Sequence, residues 1–119
     1  MSHTCHARGC EVPVRPTLLM CASHWRAVPL KVQREVWQTY RPGQCDDKRP
    51  SAEWHDAASA AIGYVAIRER RGILKSEARA LVRRGYRDLV IAAYVDRLGE
   101  EKRPAIIKAV AAFDQEPAR

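Results

Sequence analysis

Asparagine is absent from this 119-residue chain, and phenylalanine occurs once. The first absence removes the His-Asn-His arrangement of many small metal nucleases. No stretch approaches the roughly 18 consecutive apolar residues that a membrane helix needs. The opening MSHTCHARGC has no apolar core of the kind a secretion signal carries. Together these absences predict a cytoplasmic, reducing setting, in which clustered cysteines serve metal binding rather than disulfides. Also missing are a glycine-rich phosphate loop, a nucleophile-bearing Ser turn and any Cys/His dyad outside the N-terminal cluster. Asp46 and Asp47 sit beside Lys48 and Arg49 and read as solvated. His55 and Asp56 are adjacent on a predicted helix, so they point about 100° apart, a poor pair for one metal ion. No catalytic role is expected.

What the chain does have is concentrated near its start. CHARGCEVPVRPTLLMCASHW, residues 5–25, holds three of the four cysteines, two of the four histidines and one of the three tryptophans. Cys5, Cys10, Cys21 and His24 give C-x4-C-x10-C-x2-H. Zinc takes four such ligands in a tetrahedron, and close pairs supply two each by bending the backbone around the ion. Cys21 and His24 stand three residues apart, so one helical turn can aim both at one point. Gly9 permits the bend between Cys5 and Cys10. Four protein ligands leave no open coordination position, so one structural Zn2+ is expected rather than a catalytic one. His6, His3 and Cys45 are substitute ligands. Trp25, next to His24, either stacks on a base or, as such tryptophans more often do, covers the metal site and packs on the next helix.

The rest reads as helix. No segment alternates with a period of two, and there is no internal repeat or low-complexity tract. Pro29 can open a helix over PLKVQREVWQTY, residues 29–40, with Leu30, Val36, Trp37 and Tyr40 on one face. Residues 43–50 read as a polar linker. Ser51 is a candidate N-cap for a helix running to about Arg71, with Trp54, Ala58, Ala61, Ile62 and Val65 as its apolar stripe and Gly72 as its stop. Another helical stretch spans 76–98, with Gly85 either tolerated inside it or dividing it in two. Pro104 can start a last helix over 104–113. The expected fold is mainly α: a small treble-clef-like zinc knuckle followed by four or five helices. Residues 1–45 form the knuckle module with its first helix, and 46–119 a helical region packed with it or forming an oligomer interface. LVIAAYV at 89–95 and AIIKAVAAF at 105–113 are apolar almost all round, so each is buried in a core or in an oligomer interface, and a homodimer through residues 76–113 is the favoured expectation.

The charge is +7 at neutral pH. Lys/Arg exceed Asp/Glu by five to two in residues 1–40 and by eleven to seven in 71–119, with five of each between. A basic balance favours polyanions, nucleic acid above all, or an acidic protein surface. Lys75, Arg79, Arg83 and Arg87 recur every four residues, with Arg84 beside them. On a continuous helix they would form one ridge able to follow a phosphate backbone. The commoner alternative is a solvated helix face opposite Leu81, Val82, Leu89 and Ala92.

The pattern CHARGC…P…LLMCASHWRAVP…VWQTYRPGQ, followed by S-x-x-W and an Ala-rich helix, resembles a family of small zinc-knuckle proteins encoded by phages and prophages. The likeness covers residues 5 to about 67, and residues 72–119 lie beyond it. The resemblance implies a mobile-element origin, a Cys/His metal centre and no known catalytic activity. Two functions follow as expectations. One is nucleic-acid binding through a basic face. The other is a protein-binding inhibitor of a host defence complex, of the anti-CRISPR or anti-restriction type. For the second, the partner is a host protein or a nucleic-acid-bound host complex.

Overall fold

The computed structural model describes residues 3–44, 49–69 and 75–115. Cys45, Asp46, Asp47 and Gly72 lie outside the described residues. The described chain is mainly helical, as the periodicity predicts. Its helices are α1 (Ala22–Ala27), α2 (Leu30–Thr39), α3 (Ala52–Glu69), α4 (Lys75–Arg83), α5 (Arg87–Leu98) and α6 (Arg103–Ala111). Short 3-10 turns flank α6 at Glu100–Lys102 and Ala112–Gln115. No described helix is long and apolar enough to cross a membrane.

Helix α3 is the spine. It packs against α2, α4 and α5, while α6 lies on α5. Its Ser51 cap works on both sides. The hydroxyl accepts from the Trp54 N–H at 3.0 Å and donates to the Thr39 carbonyl at 3.0 Å, joining the end of α2 to the start of α3. The predicted stripe is too narrow. Ala58, Ala61 and Val65 are buried as expected, but so are Ala57, Ala60, Tyr64, Ala66 and Ile67. Small side chains on several faces allow helices to approach α3 from more than one side, so no single polar face survives along it. The Tyr64 hydroxyl donates to Asp96 and fastens α3 to α5.

Helix α2 corrects the face assigned to it. Val32 and Val36, one turn apart, are buried, whereas Leu30 is 58% and Trp37 50% exposed. The periodicity is right, but the phase is rotated towards Val28 and Val32.

Gly85 divides the 76–98 stretch. It adopts φ +96°, a left-handed conformation that costs other residues about 1–2 kcal/mol. The Gly85 N–H bonds the Val82 carbonyl at 3.1 Å, and the Tyr86 N–H bonds the Leu81 carbonyl at 2.9 Å. This paired pattern stops a helix by satisfying its last carbonyls.

One cluster of buried side chains runs from Cys5, Leu19 and Met20 through Val65 and Ile67 to Val90, Val110 and Phe113. The apolar runs of α5 and α6 bury Val90, Ala93, Val95, Ile106 and Val110 within the chain, while Leu98 and Ile107 face outward.

Candidate metal centre

The knuckle begins with an isolated antiparallel bridge between Thr4 and Pro13. The Cys5 N–H bonds the Val12 carbonyl at 2.9 Å, and the Val14 N–H bonds the His3 carbonyl at 2.9 Å. Between these arms the chain turns through Gly9 at φ +78°. The Cys10 N–H bonds the Ala7 carbonyl at 3.0 Å, and the Ala7 N–H donates to the Cys5 sulfur at 3.4 Å. A second crossing, from the His6 N–H to the Leu19 carbonyl at 2.9 Å, brings the returning segment alongside. Cys21 then stands at the N-terminus of α1, whose first turn presents His24.

This path gathers Cys5 Sγ, Cys10 Sγ, Cys21 Sγ and a His24 ring nitrogen within 4.8 Å of one another. His24 Nδ1 lies 3.5 Å from Cys5 Sγ and 3.3 Å from Cys21 Sγ. A tetrahedral zinc with ordinary bond lengths needs about 3.6 Å between sulfur and nitrogen and about 3.8 Å between sulfurs. The donor set therefore fits a four-coordinate ion, and four Cys/His ligands of this geometry can hold a metal. His6 is not among them. Its Nδ1 sits 3.1 Å from the Leu19 carbonyl, a hydrogen bond that keeps the ring beside the site rather than in it. His3 Nε2 is similarly engaged with the Leu18 carbonyl at 3.0 Å.

The two most buried thiols differ in proton affinity. Burial pushes the Cys5 thiol up to about 11. Cys21 is lowered to about 6, first by the Ser23 hydroxyl at 3.4 Å and then by the His24 backbone N–H. In the metal-free site Cys21 therefore gives up its proton more readily than Cys5, whose proton a bound metal would have to displace.

Two features of the site had no signal in the sequence. His24 Nε2 is 3.0 Å from Glu69 Oε1, at the far end of α3. With Nδ1 turned to the metal position, Nε2–H donates to this carboxylate, which fixes the tautomer and orients the ring. Glu69 is 45 residues from its partner, so no local spacing reveals it. The knuckle is also joined to α4 by an ion pair between Arg8 and Glu77.

Trp25 is half-buried against the core. Gln33 holds the end of α1 in place by donating to the Trp25 carbonyl at 2.8 Å and the Val28 carbonyl at 3.1 Å. The five predicted basic residues do not share one helix. Lys75, Arg79 and Arg83 lie on α4, Arg84 follows its last turn and Arg87 opens α5 beyond the Gly85 break. Arg84 forms an ion pair with Asp56 at 3.7 Å. His55 and Asp56 separate as their helical spacing requires, His55 towards Trp54 and Asp56 towards Arg84.

Fold and site together define a mainly helical protein with an N-terminal knuckle whose three cysteines and one histidine can hold a metal ion. No family model, curated protein or solved structure matches the chain.

Proposed function

We propose that this is a non-catalytic, zinc-stabilised nucleic-acid-binding protein that meets phosphate through its basic surface. The observation that carries the reading is the combination of a four-ligand Cys/His set with a charge of +7. Such a set fills a tetrahedral ion and leaves it no position for substrate, so the metal holds the fold. Zinc is favoured among metals by three thiolates and an imidazole in tetrahedral spacing.

Surface charge supports the partner. Arg26, Lys31 and Arg34 are exposed on α1 and α2, and Arg83, Lys102 and Lys108 on the later helices. A surface of this kind attracts polyanions by releasing their counterions. The likeness of residues 5–67 to phage-encoded zinc-knuckle proteins supports a mobile-element setting.

The test is fluorescence anisotropy of zinc-loaded protein with labelled duplex and single-stranded DNA, from low to physiological salt. Submicromolar binding with a steep log–log salt slope is expected, and Arg83→Ala should reduce that slope by about one if Arg83 meets a phosphate. Absence of binding to either DNA at physiological salt would overturn the reading and turn attention to an acidic protein surface.

A further inference from the structure

The knuckle and the first two long helices enclose a groove of about 620 Å³. This lies within the range of small-ligand sites. All three tryptophans of the chain line it, Trp25 from α1, Trp37 from α2 and Trp54 from α3, together with Tyr40. Three of the four histidines, His3, His6 and His55, line it as well. A chain with only eight Trp, Tyr and Phe residues in total has placed half of them around one opening. Trp37 is half exposed there, with its ring 6.1 Å from that of Tyr40. Core packing does not account for a tryptophan left in this state.

The lining chemistry selects the occupant. None of the described residues lining the groove is acidic. A chain of charge +7 repels a cationic occupant. The residues around the tryptophans carry the opposite preference. Arg34 is exposed three residues before Trp37, on the same side of α2, and Arg41 follows the lining residue Tyr40 where the helix has already ended. Arg15 and Arg49 adjoin the lining residues Pro16 and Pro50. Aromatic faces in a chain of charge +7, with arginines next to lining positions in the sequence, match a planar heterocycle attached to phosphate.

The imidazoles add polar recognition. His3 and His6 each use one ring nitrogen on a backbone carbonyl, Leu18 and Leu19 respectively. In a neutral ring the other nitrogen is then an acceptor. Exocyclic amino groups of bases are donors that such acceptors can receive.

We propose that the groove binds unpaired bases of a single-stranded nucleic acid by stacking them on Trp37 and its aromatic neighbours. The proposal rests on nucleic acid being the partner, but it assigns base contacts to a place separate from the arginines of α4 and α5. Duplex DNA, whose bases are already stacked, does not enter.

The experiment compares a ten-nucleotide single strand with an abasic strand of the same length and charge, using tryptophan fluorescence and anisotropy on the zinc-loaded protein. The base-bearing strand should quench tryptophan emission and bind on the order of tenfold tighter than the abasic strand. Trp37→Ala should abolish that preference while leaving abasic binding unchanged, and Trp37→Phe should keep part of it. Trp37 is half exposed, so both variants should fold, and circular dichroism checks this. Equal binding of the two strands with a steep salt slope would overturn the groove assignment and leave the basic-surface reading standing. A preference that survives Trp37→Ala would also overturn it. No binding of either strand would overturn both.

Discussion

The knuckle, residues 3–28, and the helical region from α3 onward are held together by different means. The knuckle has one six-residue helix, a single β-bridge and few large buried side chains, chiefly Leu19, Met20 and Val28. It closes through turn hydrogen bonds and four converging Cys/His side chains that can hold a metal ion. The helical region packs Val65, Ile67, Val90 and Val110 almost completely out of solvent and brings no ligand set of its own among the described residues. A segment as short as the knuckle cannot bury enough apolar surface to offset its ordering entropy, whereas helices of 9–18 residues around a shared spine can. A bound metal would therefore substitute for core in the knuckle.

Removing the metal is the severest test of that contrast. Structural zinc in small knuckles supplies about 10–16 kcal/mol near neutral pH. Chelation, or Cys21→Ser, should disorder residues 3–28 and erase the near-UV signal of Trp25 while far-UV helicity falls only modestly. Identical melts with and without chelator would break the comparison. The thiols add a pH dependence. Cys5, raised to about 11, still holds its proton throughout the neutral range, so zinc must displace it. Each proton displaced costs a factor of ten in affinity per pH unit, so lowering pH from 8 to 6 should weaken zinc binding by about 100-fold or more. Without metal the signs differ by residue. The depressed Cys21 contributes stability that is present above its ordinary value and lost as pH falls through about 6. The raised Cys5 contributes below its ordinary value and loses that contribution as pH rises through about 11. A competition titration against a chromogenic chelator at several pH values reads the first effect, and chemical denaturation of the metal-free protein reads the second.

The opposite perturbation strikes the helical side. Ile67 is fully buried near the end of α3. Ile67→Ala should cost about 2–5 kcal/mol in urea denaturation. Because the buried cluster is continuous from Cys5 to Phe113, the loss should appear in the metal-loaded protein as one transition shifted as a whole. Two separated transitions would mean that the halves fold independently.

Glu69→Gln sharpens the contrast at the point where the two halves meet. Glu69 belongs to the helical spine but orients the metal ligand His24 across 3.0 Å. Loss of its charge should weaken zinc affinity by about 10–100-fold with little change in helicity. Unchanged affinity would show that His24 needs no orienting partner.

The legible and illegible parts of this structure divide along sequence distance. The ligand set could be read because Cys5/Cys10 and Cys21/His24 are local pairs, and local pairs leave a spacing. Ser51 as a cap, Gly85 as a helix stop and Pro104 near a helix start are likewise local, since each acts on the backbone within a turn of itself. Apolar identity alone ranks Trp37 above Val32, which turns the wrong face of α2 inward. Which of the two is buried depends on where α3 lies, and α3 starts 15 residues after Trp37. Glu69, Glu77 and the aromatic groove were invisible for the same reason. Each is made by residues that become neighbours only once helices pack: Glu69 and Glu77 lie 45 and 69 positions from their partners, and the groove's tryptophans come from three different helices.

The smallest effect is expected from the other link between the halves. Arg8, in the knuckle turn, pairs with Glu77 at the start of α4, and about a third of each side chain remains in contact with solvent. Water and salt screen a pair in that position, and holding two long side chains together costs rotamer entropy. Arg8→Ala should therefore lower stability by only about 0.2–1 kcal/mol, and the difference from wild type should shrink as salt is raised. Zinc affinity should stay within a few-fold of wild type, because Arg8 supplies no thiol or imidazole and its ion pair is with Glu77. The informative comparison is with Glu69→Gln. Both variants remove one carboxylate contact between knuckle and helices, but only Glu69 reaches the metal, through His24. If Arg8→Ala weakened zinc binding as much as Glu69→Gln did, the knuckle would be positioned by docking against α4 rather than by its own ligands. The division of labour between metal and core would then have to be redrawn.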